Sequence, residues 1–264
     1  MSEPRAEVVS DDRAPAPVIA VVGASGGAGA STVCALLTSC GAADDVWPVL
    51  VDLDPLGGGI DVVLGAEGIE GARWSGLHSA GDRLDPEQLV EGLPRWWDVP
   101  FLACDLPAPP NPAAVASVLE SARAIGPVIV DVGRWPSPAR AETIKVATAV
   151  VLVVPARVPA VAAAAGQRAA VESSPGFAGT SLLVVRDDGA ALSASRVAAA
   201  VQLELAGTIG ADPGLAAGRD RGVDVRRIRR SHRSLARQLL DRCREPTPTL
   251  SRHRSVAAGH RRSA

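Results

Sequence analysis

The residues with the clearest chemical potential lie in a glycine-rich turn near the amino terminus. The apolar run Val18–Val22 leads into the segment GASGGAGAST, from Gly23 to Thr32, and an Ala/Leu-rich helical segment follows at once. Because glycine has no Cβ, such a turn can bring backbone N–H groups onto phosphate oxygens at the start of a helix. The pattern predicts an anion-binding turn, although a tight strand-to-helix connection without a ligand would use the same glycines.

The predicted phosphate-contacting positions are seven consecutive residues of this turn: Gly26, Gly27, Ala28, Gly29, Ala30, Ser31 and Thr32. No basic side chain lies within the turn, so the backbone N–H groups carry the predicted interaction. Ser31 and Thr32 each bring a hydroxyl that can reach a Mg²⁺ ion, as the last residue of a phosphate-binding loop does. Ser31 is the predicted metal ligand.

Two carboxylates follow the second apolar run. Asp52 and Asp54 stand two residues apart in the segment VLVDLDPLGGG, so they share one side of a strand. The carboxyl end of a strand is where open α/β sheets bind ligands. The alternative interpretation is that Asp54-Pro55 only ends a strand and starts a turn.

The rest of the chain predicts the scaffold that positions these residues. Short apolar runs alternate with Ala-rich segments, which predicts an α/β fold with a mostly parallel, doubly wound sheet and helices on both faces. The predicted strands are Val18–Val22, Val49–Leu53, Phe101–Cys104, Val128–Val132, Val150–Val154 and Leu182–Val185. The predicted helices are Ser31–Cys40, Asn111–Ala124, Pro138–Ala147, Val158–Val171, Ser193–Leu205 and Val225–Arg244.

We expect three regions along the chain: a disordered leader over residues 1–16, one nucleotide-binding domain over 17–245, and a disordered basic tail over 246–264. The leader is acidic and rich in Pro and Ala, so it is not a signal peptide. No apolar stretch approaches the roughly 18 residues of a membrane span. The four scattered cysteines suit reduced thiols, and a cytoplasmic location is expected.

The charge of the chain is divided between its two parts. Residues 1–218 have a net charge of −12, whereas residues 219–264 carry 14 arginines and a net charge of +10. Such a basic block can attract nucleic acid, an anionic membrane surface or an acidic partner. It can equally fold back onto its own acidic domain.

The glycine-rich turn resembles the deviant Walker A motif, K-G-G-x-G-K-[ST]-[ST], of the MinD/ParA ATPases. Aligned on the glycines, the chain matches at Gly26, Gly27, Gly29, Ser31 and Thr32. The resemblance extends over about residues 17–240 and implies a P-loop NTPase fold that binds ATP or ADP with Mg²⁺.

Both lysines of that motif are missing. Ser25 stands at the signature lysine, Ala30 at the ordinary P-loop lysine, and Lys145 is the one lysine in the sequence. In the family, the first lysine reaches the nucleotide of a dimer partner and the second holds the β- and γ-phosphates. A charge-assisted hydrogen bond to phosphate contributes roughly 1.5–3 kcal/mol. The sequence therefore predicts nucleotide binding with weak or no ATP hydrolysis.

The resemblance also assigns roles to three carboxylates. In the family's D-x-D-P segment, Asp54 would orient the attacking water and Asp52 would support Mg²⁺. Asp131, in a strand that resembles Walker B, would approach Mg²⁺ directly or through water. Relatives carry an adenine-reading Asn near Val185, where this chain has Arg186-Asp187, so the choice between adenine and guanine stays open.

Within the family, the lysine-free loop and the Arg/Ala-rich composition most resemble the CpaE/TadZ branch, which includes septum site-determining proteins. This implies a homodimeric positional scaffold at the pole or septum for pilus assembly, secretion or cell-division machinery. Branch members often carry an amino-terminal receiver-like domain, which we do not expect in the residues before Val18.

Two other functions compete with the scaffold. A ParA-like partitioning protein would use its Arg-rich carboxy-terminal helix to hold nucleic acid. An ATP-using ligase or a metal-cluster carrier of the same fold would need a P-loop lysine or paired cysteines, and the sequence has neither.

Overall fold

The fold alternates strands and helices along the chain. The computed structural model describes residues 15–44, 47–77, 84–187, 189, 192–212, 214, 222 and 228–244. Its strands are β1 Val18–Gly23, β2 Val49–Asp52, β3 Arg95–Trp96, β4 Val99–Leu102, β5 Val128–Asp131, β6 Ala149–Pro155, β7 Thr180–Asp187 and β8 Glu204–Gly210. Its α-helices are α1 Ala30–Ala43, α2 Ile60–Leu64, α3 Pro86–Gly92, α4 Pro112–Ile125, α5 Pro138–Val146, α6 Val158–Glu172, α7 Ala194–Val201 and α8 Arg230–Arg244.

The described strands form one sheet in the order β3-β4-β2-β5-β1-β6-β7-β8. All neighbouring pairs are parallel except β3 with β4. The register pairs Asp52 of β2 with Asp131 of β5, and β5 lies beside β1. The strand ends that carry the glycine-rich turn and the carboxylates therefore meet at the centre of one edge of the sheet.

Helices cover both faces of this sheet. Alternate residues of β1 enter two separate cores: Val18, Ala20 and Val22 face α4, α5 and α6, whereas Ile19 and Val21 face α1 and α8. Strands covered on both faces have no polar side, which explains their continuous apolar runs. The predicted mostly parallel, doubly wound α/β fold is confirmed.

The sequence misjudged some elements. The predicted helix over Ser193–Leu205 ends at Val201, because Gln202 adopts a left-handed conformation with φ of 56°, and Leu205 belongs to β8. The short elements α2, α3 and β3 were not predicted. The last helix begins at Arg230 rather than Val225; residues 223–227 lie outside the described part of the chain, as do the predicted leader through residue 14 and the tail from residue 245.

Helix α8 turns part of the basic block back onto the domain. Arg237 donates Nε and Nη2 to the two carboxylate oxygens of Asp44 at 2.8 and 2.9 Å. Arg242 lies 2.5 Å from Glu204 on β8. For the described part of the basic block, these pairs support the alternative in which the block folds back onto its own acidic domain. The arginines of the tail lie outside the described residues.

A buried histidine also fixes α8 to the end of β8. His232 Nδ1 lies 2.9 Å from Asp212 Oδ2, and His232 Nε2 accepts the Gly210 N–H at 3.2 Å. Because Nε2 accepts this hydrogen bond, Nδ1 is the ring nitrogen that donates to the carboxylate. The same carboxylate accepts the Arg229 N–H at 2.9 Å.

Replacing His232 with alanine is expected to lower the free energy of unfolding by about 2 kcal/mol, because it leaves the buried Asp212 carboxylate and the Gly210 N–H without this partner. Urea denaturation measures the change. The exposed Ser231→Ala variant, on the same helix, is the control and should change the value by less than about 0.5 kcal/mol. Equal effects in both variants would contradict the structural role of the pair.

The opposite edge of the sheet carries the one lysine. α5 returns the chain to the start of β6, and near its end Lys145 Nζ lies 3.3 Å from Glu142 Oε2. The lysine side chain remains half exposed and packs beside Gly176.

Within the described residues, no helix has the length and apolarity needed to cross a membrane.

Candidate functional site

The glycine-rich turn forms a cradle at the start of α1. Gly27 has φ of 65°, and Gly29, the residue before the helix, has φ of 99°. Side-chain-bearing residues rarely adopt these values, so both positions favour glycine. The first N–H groups of α1 have no partner within the helix and therefore suit a bound anion.

A cavity of about 620 Å³ opens at this turn. All seven predicted phosphate-contacting residues line it, together with Asp54 and Asp131. Residues that were not predicted for the site complete the lining: Gly23, Ser25, Leu56, Gly57, Val63, Gly133, Arg134, Trp135 and Arg186. Thus the structure brings together nine of the ten predicted site residues, Asp52 being the exception.

Asp131 and Ser31 form a polar pair at the bottom of the cavity. The Ser31 side chain lies close enough to Asp131 to lower the pKa of that carboxyl by hydrogen bonding, and the Gly133 N–H donates to Oδ1 at 3.4 Å. Burial raises the pKa of Asp131 to about 6; the nearby Asp54 carboxylate adds to the rise, and the two hydrogen bonds oppose it. A divalent cation beside Asp131 would favour the ionised form.

Asp52 lies next to Asp131 but is committed to the backbone. Its Oδ1 accepts the Asp54 N–H at 2.9 Å and its Oδ2 accepts the Ile60 N–H at 3.0 Å. Burial and the neighbouring Asp131 raise the pKa of Asp52. In this arrangement the carboxylate holds the segment between β2 and α2, which also positions Asp54. Its role as a magnesium ligand stays a prediction.

Asp54 stands at the cavity wall. Its Oδ1 accepts the Leu56 N–H at 3.0 Å, which stabilises the turn after β2. Gly133, with φ of 64°, passes so close that a Cβ there would lie 2.9 Å from the Asp54 carboxyl carbon. The segment after β5 therefore approaches Asp54 through a glycine. The predicted water-orienting role of Asp54 stays a prediction.

Two arginines flank the turn: sequence reasoning did not place Arg134 at the site, and it identified Arg186 only as standing where relatives carry an adenine-reading Asn. Arg186, at the end of β7, donates Nη1 to the Gly27 carbonyl. Arg134, directly after Gly133, directs its guanidinium to Gly26 and lies over the Trp135 ring, 5.0 Å from the centroid. The sequence offers a weak signal for both, because each follows the carboxyl end of a predicted strand.

A buried arginine fixes the backbone at Arg134. Arg140 Nη1 and Gln167 Nε2 donate to the Arg134 carbonyl at 2.7 and 3.0 Å. Arg140 Nη2 also donates to Gln167 Oε1 at 2.8 Å. This network connects α5 and α6 to the segment after β5, so hydrogen bonds from these two helices fix the backbone position of Arg134.

Comparison with solved structures finds the same architecture. A ParA family ATPase from Chlorobium tepidum TLS superposes with a TM-score of 0.70 at 16% identity, covering 87% of this chain and 98% of that one. MinD from Aquifex aeolicus gives 0.69 at 19% identity, covering 86% and 97%. The chain has the MinD/ParA P-loop ATPase fold.

Comparison of sequences finds two relatives of this chain. Two Mycobacterium tuberculosis proteins, from strains CDC 1551/Oshkosh and H37Rv and both bearing the name uncharacterized protein, are 35% identical over 242 residues. The match covers 89% of this chain and 66% of the relatives' length. No protein-family model matches the sequence.

Solved structures with this fold include nucleotide complexes. MinD from Pyrococcus horikoshii OT3 was solved with Mg-ADP; it superposes with a TM-score of 0.69 at 16% identity and covers 85% of this chain and 96% of that one. In the MinD/ParA-fold chain, the described residues hold no group of three or more His, Cys, Asp or Glu side chains arranged for a metal. Mg²⁺ commonly uses one or two carboxylates together with substrate phosphates, and the Ser31–Asp131 pair fits that pattern.

Proposed function

We propose that the protein binds a magnesium–nucleotide complex, ATP or ADP, and acts as a positional scaffold with weak or no ATP hydrolysis. One observation carries the proposal: the glycine-rich turn, the Ser31–Asp131 pair and Asp54 line a single cavity at the carboxyl edge of a MinD/ParA-fold sheet. Backbone N–H groups at a helix start bind phosphate in proteins, and Mg²⁺ is commonly held by a carboxylate together with substrate phosphates.

The low turnover follows from the residues at the turn. Phosphoryl transfer depends on cations that stabilise the charge developing on the transferred group. Ser25 and Ala30 offer no such cation at the positions of the two missing lysines. We propose that the bound nucleotide acts as a structural signal.

The finer role is that of a CpaE-like or septum site-determining protein. We propose a cytoplasmic homodimer at the pole or septum that positions pilus, secretion or division machinery. Support comes from solved structures with this fold, which include the cell-division protein MinD and a MinC:MinD complex from Aquifex aeolicus. The lysine-free loop supports placement in the CpaE/TadZ branch.

The proposal predicts the effect of restoring one lysine. A fluorescent ATP analogue should bind the wild-type protein with little phosphate release, and Ala30→Lys should bind it at least tenfold more tightly, since an ammonium adds charge-assisted hydrogen bonds to the phosphates. Titration with a parallel measurement of molecular size tests both binding and dimerisation.

Ala30→Met is the matched control, because it adds similar length without charge. Tighter binding by the lysine variant alone supports a phosphate site at Ala30. No nucleotide binding by either the wild type or Ala30→Lys would contradict the proposal. Rapid turnover by the wild type that depends on Asp54 would contradict the scaffold role.

A further inference from the structure

We propose that Arg134 and Arg186 supply the positive charge that the phosphate loop lacks, so that two guanidinium groups from outside the loop hold the phosphates of the bound nucleotide. The inference rests on the proposed nucleotide site. It implies that the site recognises its ligand mainly through the phosphate groups. Both side chains line the same cavity as the loop.

Arg186 reaches the loop from the sheet. Arg186 pairs with Pro155 of β6 and Ile209 of β8, and its carbonyl accepts the Ala156 N–H at 2.9 Å, so its backbone is fixed on both sides. The guanidinium donates to the Gly27 carbonyl, and its Cδ would lie 3.7 Å from a Cβ on Gly29. Its charge therefore lies against the two left-handed glycines where α1 begins.

Arg134 approaches the loop at Gly26. Its Nη1 lies 2.5 Å from the point that a Cβ on Gly26 would occupy, so a side chain at Gly26 would displace the guanidinium. The Trp135 ring supports the guanidinium, and Arg140 and Gln167 hold the Arg134 backbone. The small residue at position 26 thus leaves room for an arginine from the segment after β5.

The charges around the cavity fit a polyphosphate. Asp54 and Asp131, beside which Mg²⁺ would bind, line the cavity together with the two arginines, whose side chains contact the loop. Arginine stays charged at every physiological pH and binds phosphate through two parallel N–H bonds. A guanidinium has five N–H donors, so Arg186 can hold the Gly27 carbonyl and phosphate oxygens together.

The test is titration of a fluorescent ATP analogue into the full chain with Mg²⁺, competed by ATP, ADP and AMP. Arg134→Gln and Arg186→Gln should each weaken ATP binding by about tenfold to a hundredfold, the range of a lost charge-assisted bond. The loss should be smaller for ADP and smallest for AMP. Arg196→Gln, which removes an exposed arginine from α7, is the matched control and should bind as the wild type does.

The possible outcomes separate this inference from the proposed function. If the wild type binds no nucleotide, both are wrong. If the wild type binds and the two glutamine variants bind equally well, only the arginine assignment is wrong. Tighter binding by the variants would show that the arginines occlude the loop and would also overturn the assignment.

Folding of the variants is checked by thermal denaturation. Arg134→Lys and Arg186→Lys keep the charge and serve where a glutamine variant fails to fold. They should retain a preference for ATP over AMP, with weaker binding than the wild type, because an ammonium lacks the paired N–H geometry. Loss of that preference in both folded lysine variants, equal to the loss caused by glutamine, would contradict a role for the charge.

Discussion

Trp74→Ala is expected to lower the free energy of unfolding by about 3–5 kcal/mol, the largest effect of a single substitution predicted for this chain. Trp74 is 1% exposed and packs against the core on the β2 side of the sheet. Its indole Nε1 donates to the Asp52 carbonyl at 2.7 Å. Alanine would leave a cavity and an unsatisfied carbonyl directly below the carboxylates of the site. Urea denaturation followed by circular dichroism measures the loss.

Two further tryptophan variants separate the contributions. Trp74→Phe keeps most of the ring but removes the N–H donor, so it should cost less than the alanine variant. Trp97→Ala removes a side chain that is 52% exposed, and its cost should stay near 0.5 kcal/mol. An equal loss in the free energy of unfolding for Trp74→Ala and Trp97→Ala would contradict the role of Trp74 in stabilising this part of the core.

Asp131→Asn is expected to stabilise the protein by up to about 3 kcal/mol above pH 6 in the presence of EDTA. Burial raises the pKa of Asp131 from its ordinary value near 3.8 to about 6. One pKa unit corresponds to about 1.4 kcal/mol. Between pH 4 and 6 the unfolded chain releases this proton while the folded chain retains it, so wild-type stability falls as the pH rises. The amide cannot ionise and avoids that loss.

The measurement is the free energy of unfolding at intervals from pH 4 to pH 8 for both proteins. The two curves should meet near pH 4, separate up to pH 6 and then run parallel. The control is Asp98→Asn, which changes an exposed carboxylate in the β3–β4 turn and should show no such separation. Curves for Asp131→Asn and wild type that stay parallel from pH 4 to pH 8 would contradict the raised pKa.

Magnesium provides a second measurement on the same pair of proteins. If Asp131 contributes to a cation site, saturating Mg²⁺ should stabilise the wild type above pH 6 and leave Asp131→Asn almost unchanged, because binding to the folded state alone shifts the unfolding equilibrium. Equal stabilisation of both proteins would place the cation elsewhere.

Much of the fold could be predicted because its signals are local. Strands such as Val18–Val22 and Val128–Val132 are apolar throughout, since helices cover both of their sides, and the six observed strands that have a predicted counterpart lie within a residue or two of its ends. The error at Leu205 has a different origin. Only two residues separate the Ala-rich helix from the following strand. The helix ends because the backbone of Gln202 is left-handed, a conformation that a glutamine in the sequence does not predict.

The site divides in the same way. The turn at Gly27 and Gly29 could be predicted from the sequence, because the left-handed backbone conformation at both positions favours glycine. The commitment of Asp52 to two backbone N–H groups depends on how the chain returns to Ile60, which spacing does not reveal. Arg134 and Arg186 are about fifty residues apart, and both reach the loop after β1 because β1 lies between β5 and β6, with β7 next to β6. Such a pairing depends on strand order, which a single sequence does not contain.

The position of Lys145 has a practical consequence. It is the one lysine in the sequence, so amine-directed coupling addresses this side chain and the amino terminus of the chain. Lys145 lies at the edge of the sheet opposite the cavity, and its side chain is half exposed. A dye or a sensor surface attached there leaves the phosphate loop open to ligand. Acyl-phosphate nucleotide probes, which report nucleotide sites by acylating a nearby lysine, will leave this cavity unlabelled even at full occupancy.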